Sequence, residues 1–184
     1  TIERLGDLAG GELSSSAHGV SADGSVVAGM GTTSDFISSR PVLWTPAIRA
    51  IGQTAGQSIA VSDDGNSIVG VITSGLSGRA FLFRPNGSSL TLLEDLPGGG
   101  ISSSASGISG NGTVIVGRSS TDAGNEAVRW SLLEATIALG DLPGGAYESL
   151  ALDVSNDGEV IVGRGTTELG TEAFVWSRSN GMVR

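Results

Sequence analysis

The chain contains no cysteine and no lysine among its 184 residues, and it has a single histidine. Without cysteine there is neither a disulfide framework nor thiol chemistry. Ten arginines are the only strongly basic side chains, and the formal net charge at pH 7 is −9. Because a nucleic-acid partner requires a basic surface that neutralises phosphates, we predict no nucleic-acid binding.

Long apolar runs are also missing. Stretches such as Val114-Ile115-Val116 are far shorter than the ~20 residues that a helix needs to cross a bilayer, so we predict no transmembrane segment. The sequence starts at Thr1 without a recognisable signal peptide, and we expect a processed or excised product. Glycine, in contrast, is abundant with 30 residues, and the hydrophobic content is 39%. This composition predicts a folded chain with many turns.

A hairpin signature occurs four times along the chain. Its turns are Asp23-Gly24, Asp64-Gly65, Asn111-Gly112 and Asp157-Gly158, which are spaced 41, 47 and 46 residues apart. Asp-Gly and Asn-Gly favour the positive φ angles of tight hairpin turns. An apolar run follows each turn, and each copy ends its third predicted strand with a large aromatic side chain: Trp44, Phe83, Trp130 or Trp176. Repeats of roughly 40 to 50 residues with several strands are typical of propeller blades.

We therefore predict an all-β fold, a β-propeller built from four four-stranded repeats of about 45 residues, with another stacked β-repeat array as the alternative. Residues 1–184 form one domain in this interpretation. The predicted blades cover residues 9–54, 55–97, 98–143 and 144–184, and residues 1–8 supply the strand that closes the last blade. The apolar run should be buried on both faces, and the aromatic residues should pack between blades.

Residues 139–176 combine several motifs in a fixed order. Leu-Gly-Asp-Leu-Pro-Gly-Gly comes first, a Val-Ser-Asn-Asp-Gly hairpin follows, and an Ala-Phe-Val-Trp strand ends the segment. This order resembles the HAF repeats, a bacterial class of probable extracellular repeats, and the hairpin is similar to the blades of TolB-type propellers. The resemblance implies a secreted or cell-surface bacterial protein. It implies no particular reaction, because the family is defined by its repeats.

Residues that break the repeat are the candidates for a binding site. Asp153 stands where the other copies have glycine or alanine, on the strand expected to line the central channel. Arg118 and Arg164 follow the second strand of blades three and four, where the first two blades have Met30 and Val71. A carboxylate and two guanidinium groups near one channel could form a polar ligand site, and arginine suits carboxylate or sulfate recognition.

His18 follows Ser14-Ser15-Ser16, which raises the question of a Ser/His nucleophilic pair. However, Ser102-Ser103-Ser104 occupies the equivalent stretch of the third repeat, with Ser106 in place of the histidine. The serine run therefore belongs to the repeat, and we predict no catalytic residue while keeping His18 as a candidate ligand contact. We also expect no cofactor and no metal, because the Asp-Gly turns lack the closely spaced carboxylates of a calcium loop.

These patterns predict an extracellular or cell-surface repeat module for binding or assembly, with a glycan, another polymer or a protein as its partner. We also expect self-association through the terminal strands, because an unpaired strand edge can add a strand from another molecule. The alternative is a polysaccharide-active propeller hydrolase, which needs two convergent carboxylates. Its candidates are Asp122, Glu126 and Glu148, which the sequence places in loops.

Overall fold

The computed structural model describes residues 2–10, 14–32, 39–75 and 77–184. The strands of this part form four antiparallel sheets, each with four strands in chain order. The first sheet comprises β1 (Ser15–Val20), β2 (Val27–Thr32), β3 (Ser39–Trp44) and β4 (Ile48–Ala50). The second comprises β5 (Gly56–Val61), β6 (Ile68–Ser74), β7 (Ser77–Arg84) and β8 (Ser89–Leu92). The third comprises β9 (Ser103–Ile108), β10 (Val114–Ser120), β11 (Asn125–Ser131) and β12 (Ile137–Gly140). The fourth comprises β13 (Ser149–Val154), β14 (Val160–Thr167), β15 (Gly170–Ser177) and β16 (Gly181–Val183).

Each sheet is one blade, and the blades stack in chain order. The first strand of each later blade packs on the second strand of the blade before it, β5 on β2, β9 on β6 and β13 on β10. The predicted all-β propeller of four four-stranded repeats is confirmed. In the part of the chain that the structure describes, no helix has the length and apolar character required to cross a membrane.

The first strand of every blade has a bulge, and a repeat glycine of the second strand lies beside it: Gly29, Gly70, Gly117 or Gly163. In β1 the register shifts between Ala17 and Gly19, which leaves His18 as the extra residue. The bulged strand lies so close to β2 that a Cβ on Gly29 would overlap the carbonyl oxygen of Ser16. Glycine at this position therefore permits the close approach of two backbones.

The apolar core is divided among the three interfaces between consecutive blades. Between blades three and four, Val114 and Val116 of β10 pack with Ile161 of β14 and the aromatic residues of β15. The repeated aromatic residues are all buried: Trp44, Phe83, Trp130 and Trp176. Three of them belong to clusters between blades, namely Phe83, Trp130 and Trp176. The prediction that these rings pack between blades is confirmed for those three.

The Asp-Gly turns are closed by hydrogen bonds within the repeat. In the first blade, Asp23 Oδ1 accepts hydrogen bonds from the Ser25 N–H (2.9 Å) and the Ser21 hydroxyl (2.7 Å), while Gly24 has φ = +74°. The backbone N–H of Ser25 and then the hydroxyl of Ser21 lower the pKa of Asp23 to about 2. Asn111 accepts the corresponding bonds in the third blade. The side-chain oxygen of Asp23 or Asn111 therefore stabilises the hairpin turn by accepting hydrogen bonds from its own residues.

The fourth blade does not pack on the first. Among the described residues, strands of these two blades make no contacts comparable to those that join consecutive blades. Residues 2–8 belong to none of the four sheets, and β16 is the outer strand of the last blade. The structure thus departs from the prediction that residues 1–8 close that blade; Thr1 lies outside the described residues.

Residues 5–8 lie on the first blade instead, and the repeat explains why. Leu5-Gly6-Asp7-Leu8 corresponds to residues 93–96, which follow the second blade and pack on the third. The Glu94 carbonyl oxygen accepts a hydrogen bond from the Trp130 indole N–H (2.6 Å), and the Gly6 carbonyl oxygen accepts one from Trp44 (3.2 Å). Residues 5–8 therefore take the place that the end of a preceding blade takes elsewhere.

Candidate functional site

Arg118 and Arg164 line one cavity between the third and fourth blades. They hold equivalent positions, since Arg118 pairs with Ser104 of β9 and Arg164 pairs with Leu150 of β13. The cavity has a volume of about 160 Å³. Its other lining residues all come from the fourth blade or the loop before it: Glu148, Ser149, Leu150, Gly165, Thr166 and Thr171. The stacking of the blades thus brings two of the predicted site residues together.

The repeat itself exposes these two side chains. In β10, Gly117 and Ser119 are buried, whereas Arg118 between them is exposed. Successive residues of a strand point to opposite faces of the sheet, so the residue after the repeat glycine projects away from its buried neighbours. Arg164 follows Gly163 of β14 in the same way and is also exposed.

The charges in this cavity are not neutralised within the described part of the chain. Neither guanidinium forms an ion pair or a hydrogen bond with a described residue. Among the lining residues that the structure describes, Glu148 carries the single carboxylate. The site therefore has one excess positive charge in a protein whose net charge is −9. Two unpaired guanidinium groups favour an anionic ligand.

Backbone hydrogen bonds fix the remaining walls of the cavity. The Glu148 N–H donates to Asp141 Oδ2 (3.0 Å), and the Thr166 N–H donates to the Glu148 carbonyl oxygen (3.0 Å). The Ser149 hydroxyl is already used, because it donates to the carbonyl oxygen of Gly140 and accepts a backbone N–H from the third blade. The carboxylate of Glu148 and the hydroxyl groups of the two lining threonines remain available to a ligand that carries hydroxyl groups.

Asp153 and His18 lie outside this cavity. Asp153 Oδ1 accepts a hydrogen bond from the N–H of its neighbour Val154 (2.9 Å), and its backbone passes close to Gly107 of the third blade. His18 Nδ1 lies 2.8 Å from the carbonyl oxygen of Ser58, which connects the first two blades. The structure does not bring either residue to the two arginines.

Glu148 is the lining residue that sequence reasoning failed to assign to this site. The sequence indicates Glu148 only as a loop carboxylate for hydrolysis. A signal was nevertheless present, because the equivalent positions in the second and third repeats are Ala55 and Ser102. A charged residue at a position where the other copies are small breaks the repeat, as the arginines do.

A second cavity occupies the equivalent place between the first two blades and has different chemistry. Met30 and Val71 stand in the positions of the arginines, and Ala55 replaces the glutamate. This cavity measures about 320 Å³, and no charged residue is among its lining residues that the structure describes. The same backbone arrangement therefore forms a charged cavity at one interface and an uncharged one at another.

The largest of the cavities described here is a groove of about 810 Å³ beside the turns of the first two blades. Several of its polar groups are bound internally. The indole N–H of Trp44 donates to Gly6, and Asp64 Oδ1 accepts hydrogen bonds from the Ser62 hydroxyl and the Asn66 N–H. Both hydrogen bonds lower the pKa of Asp64, and the bond from the Ser62 hydroxyl has the larger effect. Glu3 and Arg49 also line the groove, and neither forms a hydrogen bond or ion pair with a described residue.

A further cavity, of about 340 Å³, contains two of the carboxylates considered for hydrolysis. Asp122 and Glu126 both line it, together with Tyr147. The predicted loop position of Glu126 is wrong: the residue lies in β11 and is buried, and its Oε1 accepts a hydrogen bond from the Gly140 N–H (3.1 Å). Burial raises the pKa of the Tyr147 phenol, and the hydrogen bond with Glu126 raises it further. Glu148 lines the arginine cavity instead.

Within the described ranges, no group of three or more histidine, cysteine or acidic side chains is arranged to hold a metal ion. The Asp-Gly turns use their carboxylate oxygens in the hydrogen bonds described above. That the protein requires no metal stays a prediction.

Comparison with known proteins identifies the fold and no more. No family model matches the chain, and no curated protein matches it. Among solved structures, the chain is similar to TolB from Acinetobacter baumannii, with 12% identity, a TM-score of 0.66, and coverage of 91% of this chain and 42% of that one. It is also similar to a putative TolB from Agrobacterium tumefaciens, with 15% identity, a TM-score of 0.70, and coverage of 95% of this chain and 65% of that one.

The chain thus spans between about two fifths and two thirds of the length of these two structures. At 12% and 15% identity the likeness concerns the arrangement of the blades alone. The predicted TolB-like blades are confirmed, whereas the resemblance to HAF repeats finds no matching family model. The chain has a TolB-like β-propeller fold.

Proposed function

We propose that this chain is a binding and assembly module of a bacterial extracellular or cell-surface protein, and that the cavity between blades three and four binds an acidic glycan. One observation carries the ligand class: two guanidinium groups that pair with no described residue face a cavity whose described lining has a single carboxylate. A guanidinium group pairs well with a carboxylate or sulfate. Both groups occur on acidic sugars.

The other lining groups fit the rest of a sugar. Glu148 can accept hydrogen bonds from sugar hydroxyl groups, and the hydroxyl groups of Thr166 and Thr171 can donate or accept. Sites for drug-sized ligands usually measure about 300–1,000 Å³. A cavity of about 160 Å³ therefore holds one small acidic group of a longer polymer.

Titration calorimetry with a uronic-acid oligosaccharide, and with the neutral oligosaccharide of the same linkage, tests this proposal. The acidic ligand should bind, binding should weaken as salt screens the charges, and the neutral ligand should not bind. Equal affinity for both ligands, or binding of neither a uronate nor a sulfated oligosaccharide, would contradict an anionic site.

The other repeats indicate substitutions that should remove binding without disturbing the fold. Arg118→Met and Arg164→Val install the residues that the first two blades carry at these positions, so the fold should be retained and binding of the acidic ligand lost. Glu148→Ala should weaken binding less, because it removes hydroxyl recognition and leaves the guanidinium groups. Binding that survives the double arginine substitution would place the ligand elsewhere.

The second candidate is a polysaccharide hydrolase, and the shared cavity of Asp122 and Glu126 favours it. Glycosidases use two carboxyl groups that face the scissile bond. Release of reducing ends from a panel of polysaccharides, abolished by Glu126→Gln but not by Arg164→Val, would support this function over the binding module. We expect no turnover.

A further inference from the structure

Blade-to-blade packing stops at the two ends of the stack, and each end displays half of an interface that occurs three times inside the molecule. On the last blade, Val160 and Val162 are both 42% exposed. The equivalent residues of the third blade, Val114 and Val116, are 3% and 0% exposed, because the fourth blade covers them. We call Val160, Val162 and Val175 the fourth-blade face.

The first blade displays the complementary half. Val20 is 59% exposed, whereas its equivalents Ile108 and Val154 are 8% and 7% exposed because each packs on the preceding blade. Valine is exposed at both ends only because no blade covers it there. We call the surface around Val20 and Ser15 the first-blade face.

We infer that the fourth-blade face of one molecule binds the first-blade face of a second copy, head to tail, by the contacts that join consecutive blades within the chain. The inference develops the assembly part of the proposed function. It does not depend on the glycan cavity, and its test is independent of glycan binding.

The polar groups of the two faces also match. Inside the molecule, the Ala80 N–H donates to Ser103 Oγ (3.1 Å) and the Ala127 N–H donates to Ser149 Oγ (2.9 Å) of the next blade. Ala173 has the same register on the last blade, opposite Arg164. The serine equivalent to Ser103 and Ser149 on the first-blade face is Ser15.

A chain of backbone hydrogen bonds links the hairpin turns and ends with an unused group on either side. The Ala22 N–H donates to the Asp63 carbonyl oxygen, and the Asp63 N–H donates to the Gly110 carbonyl oxygen (both 3.0 Å). Between blades three and four the donor is the next residue, because the Asn111 N–H donates to the Asn156 carbonyl oxygen (3.3 Å). Within the described residues, the N–H of the equivalent Asn156 has no partner, and the Ala22 carbonyl oxygen accepts no hydrogen bond. In a head-to-tail pair, Asn156 of one copy would donate to Ala22 of the other.

Residues 5–8 supply a third match. Inside the chain, residues 93–96 and 139–142 lie at or just after the end of the outer strand of one blade and pack on the next. On the first blade, residues 5–8 lie in the equivalent place. A second copy would therefore bring residues 5–8 to the interface together with its first blade.

The mass of the wild-type chain in solution, measured by sedimentation velocity over a wide range of concentrations, tests this inference. We expect association that strengthens with concentration and with moderate salt, because each copy carries a charge of −9. Val162→Asp and Val20→Asp should each abolish association and leave the melting temperature unchanged, since both residues are exposed in a single copy. Ile101→Asp, at an exposed isoleucine between β8 and β9, is the control and should associate like the wild type.

Mixing the two disrupted variants separates this inference from other forms of assembly. The interface is heterologous, so Val162→Asp and Val20→Asp molecules together retain one intact pair of faces. They should form a heterodimer that grows no further. Asn156→Pro, which removes one N–H, should weaken wild-type association by about threefold to tenfold, the net effect of one hydrogen bond.

A wild-type chain that stays monomeric at every concentration would overturn the inference, including a monomer that closes on its own first blade. Association that survives Val162→Asp, or mixed variants that fail to pair, would overturn it as well. If the chain binds glycan but remains monomeric, the binding part of the proposed function stands and this inference falls.

Discussion

The interfaces of blades three and four and of blades one and two share one backbone arrangement but differ at corresponding side chains. The first has Arg118 and Arg164 at its cavity, whereas the second has Met30 and Val71. The first also has an inter-blade hydrogen bond to Ser149, where the second has Gly56. The comparison shows that the repeat determines how blades pack, while a few positions beside the packed core determine the chemistry of each interface.

The largest effect should come from removing the aromatic anchors of these two interfaces. Trp176→Ala and Phe83→Ala each delete a buried ring from an inter-blade cluster, and each should lower the free energy of unfolding by about 3–5 kcal/mol. Urea titration measures this loss. A loss below ~1 kcal/mol together with lost ligand binding would instead assign that ring to a surface site.

Removing the hydrogen bond between Ala127 and Ser149 should lower the free energy of unfolding by a smaller amount. Ser149→Ala leaves the Ala127 N–H buried without its acceptor, which should cost about 1–3 kcal/mol. The equivalent donor between blades one and two does not exist, because Pro41 has no N–H. If Ser149→Ala leaves the free energy of unfolding unchanged in urea titration, this hydrogen bond does not distinguish the stability of the two interfaces.

The hairpin turns should differ between blades in how much their stability depends on pH. Hydrogen bonds lower the pKa of Asp23 from 3.8 to about 2, and they also lower those of Asp64 and Asp157, whereas Asn111 does not titrate. The stabilisation from these carboxylates is present above their pKa in the unfolded chain and is lost as the pH falls through the lower value in the folded one.

The variant in which all three aspartates are replaced by asparagine should therefore lose less thermal stability than the wild type between about pH 4 and pH 2. The melting temperature recorded against pH gives the comparison. Identical acid dependence of the two proteins would show that these turns do not contribute.

Removing divalent cations should have the smallest effect, namely none. The turns of both interfaces are closed by side-chain and backbone hydrogen bonds, so a chelator should leave the melting temperature unchanged. A decrease that Ca²⁺ reverses would show that the acidic turns bind metal.

The sequence predicted most of the fold because the same short-range signals occur four times. Each Asp-Gly turn, apolar run and aromatic residue predicts its own strands. Whether the last blade packs on the first is a long-range property, which the period alone does not encode. The period alone therefore predicts residues 1–8 on the last blade, although Leu5-Gly6-Asp7-Leu8 has the same position relative to Trp44 that residues 93–96 have to Trp130.

The site was predictable only where the repeat fixes side-chain direction. Arg118 and Arg164 follow the same glycine in equivalent strands, so their proximity follows from blade stacking. Asp153 follows a bulge at Leu152, which changes the register of β13 by one residue. A bulge cannot be located by counting alternate residues, and the expected grouping of Asp153 with the arginines failed for that reason.

Pro41 and Gly56 have a consequence for rearranging this protein. One lacks the amide proton and the other the hydroxyl group that the later interfaces use, and they face each other across the same boundary. A recombinant chain with its first blade transplanted before the third would set Pro41 against Ser103, and a chain with the second blade placed after the third would set Ala127 against Gly56. Either order loses a bond that the native order retains. Each blade is thus suited to its native neighbour, and exchanging the order of the blades should weaken the interfaces between them.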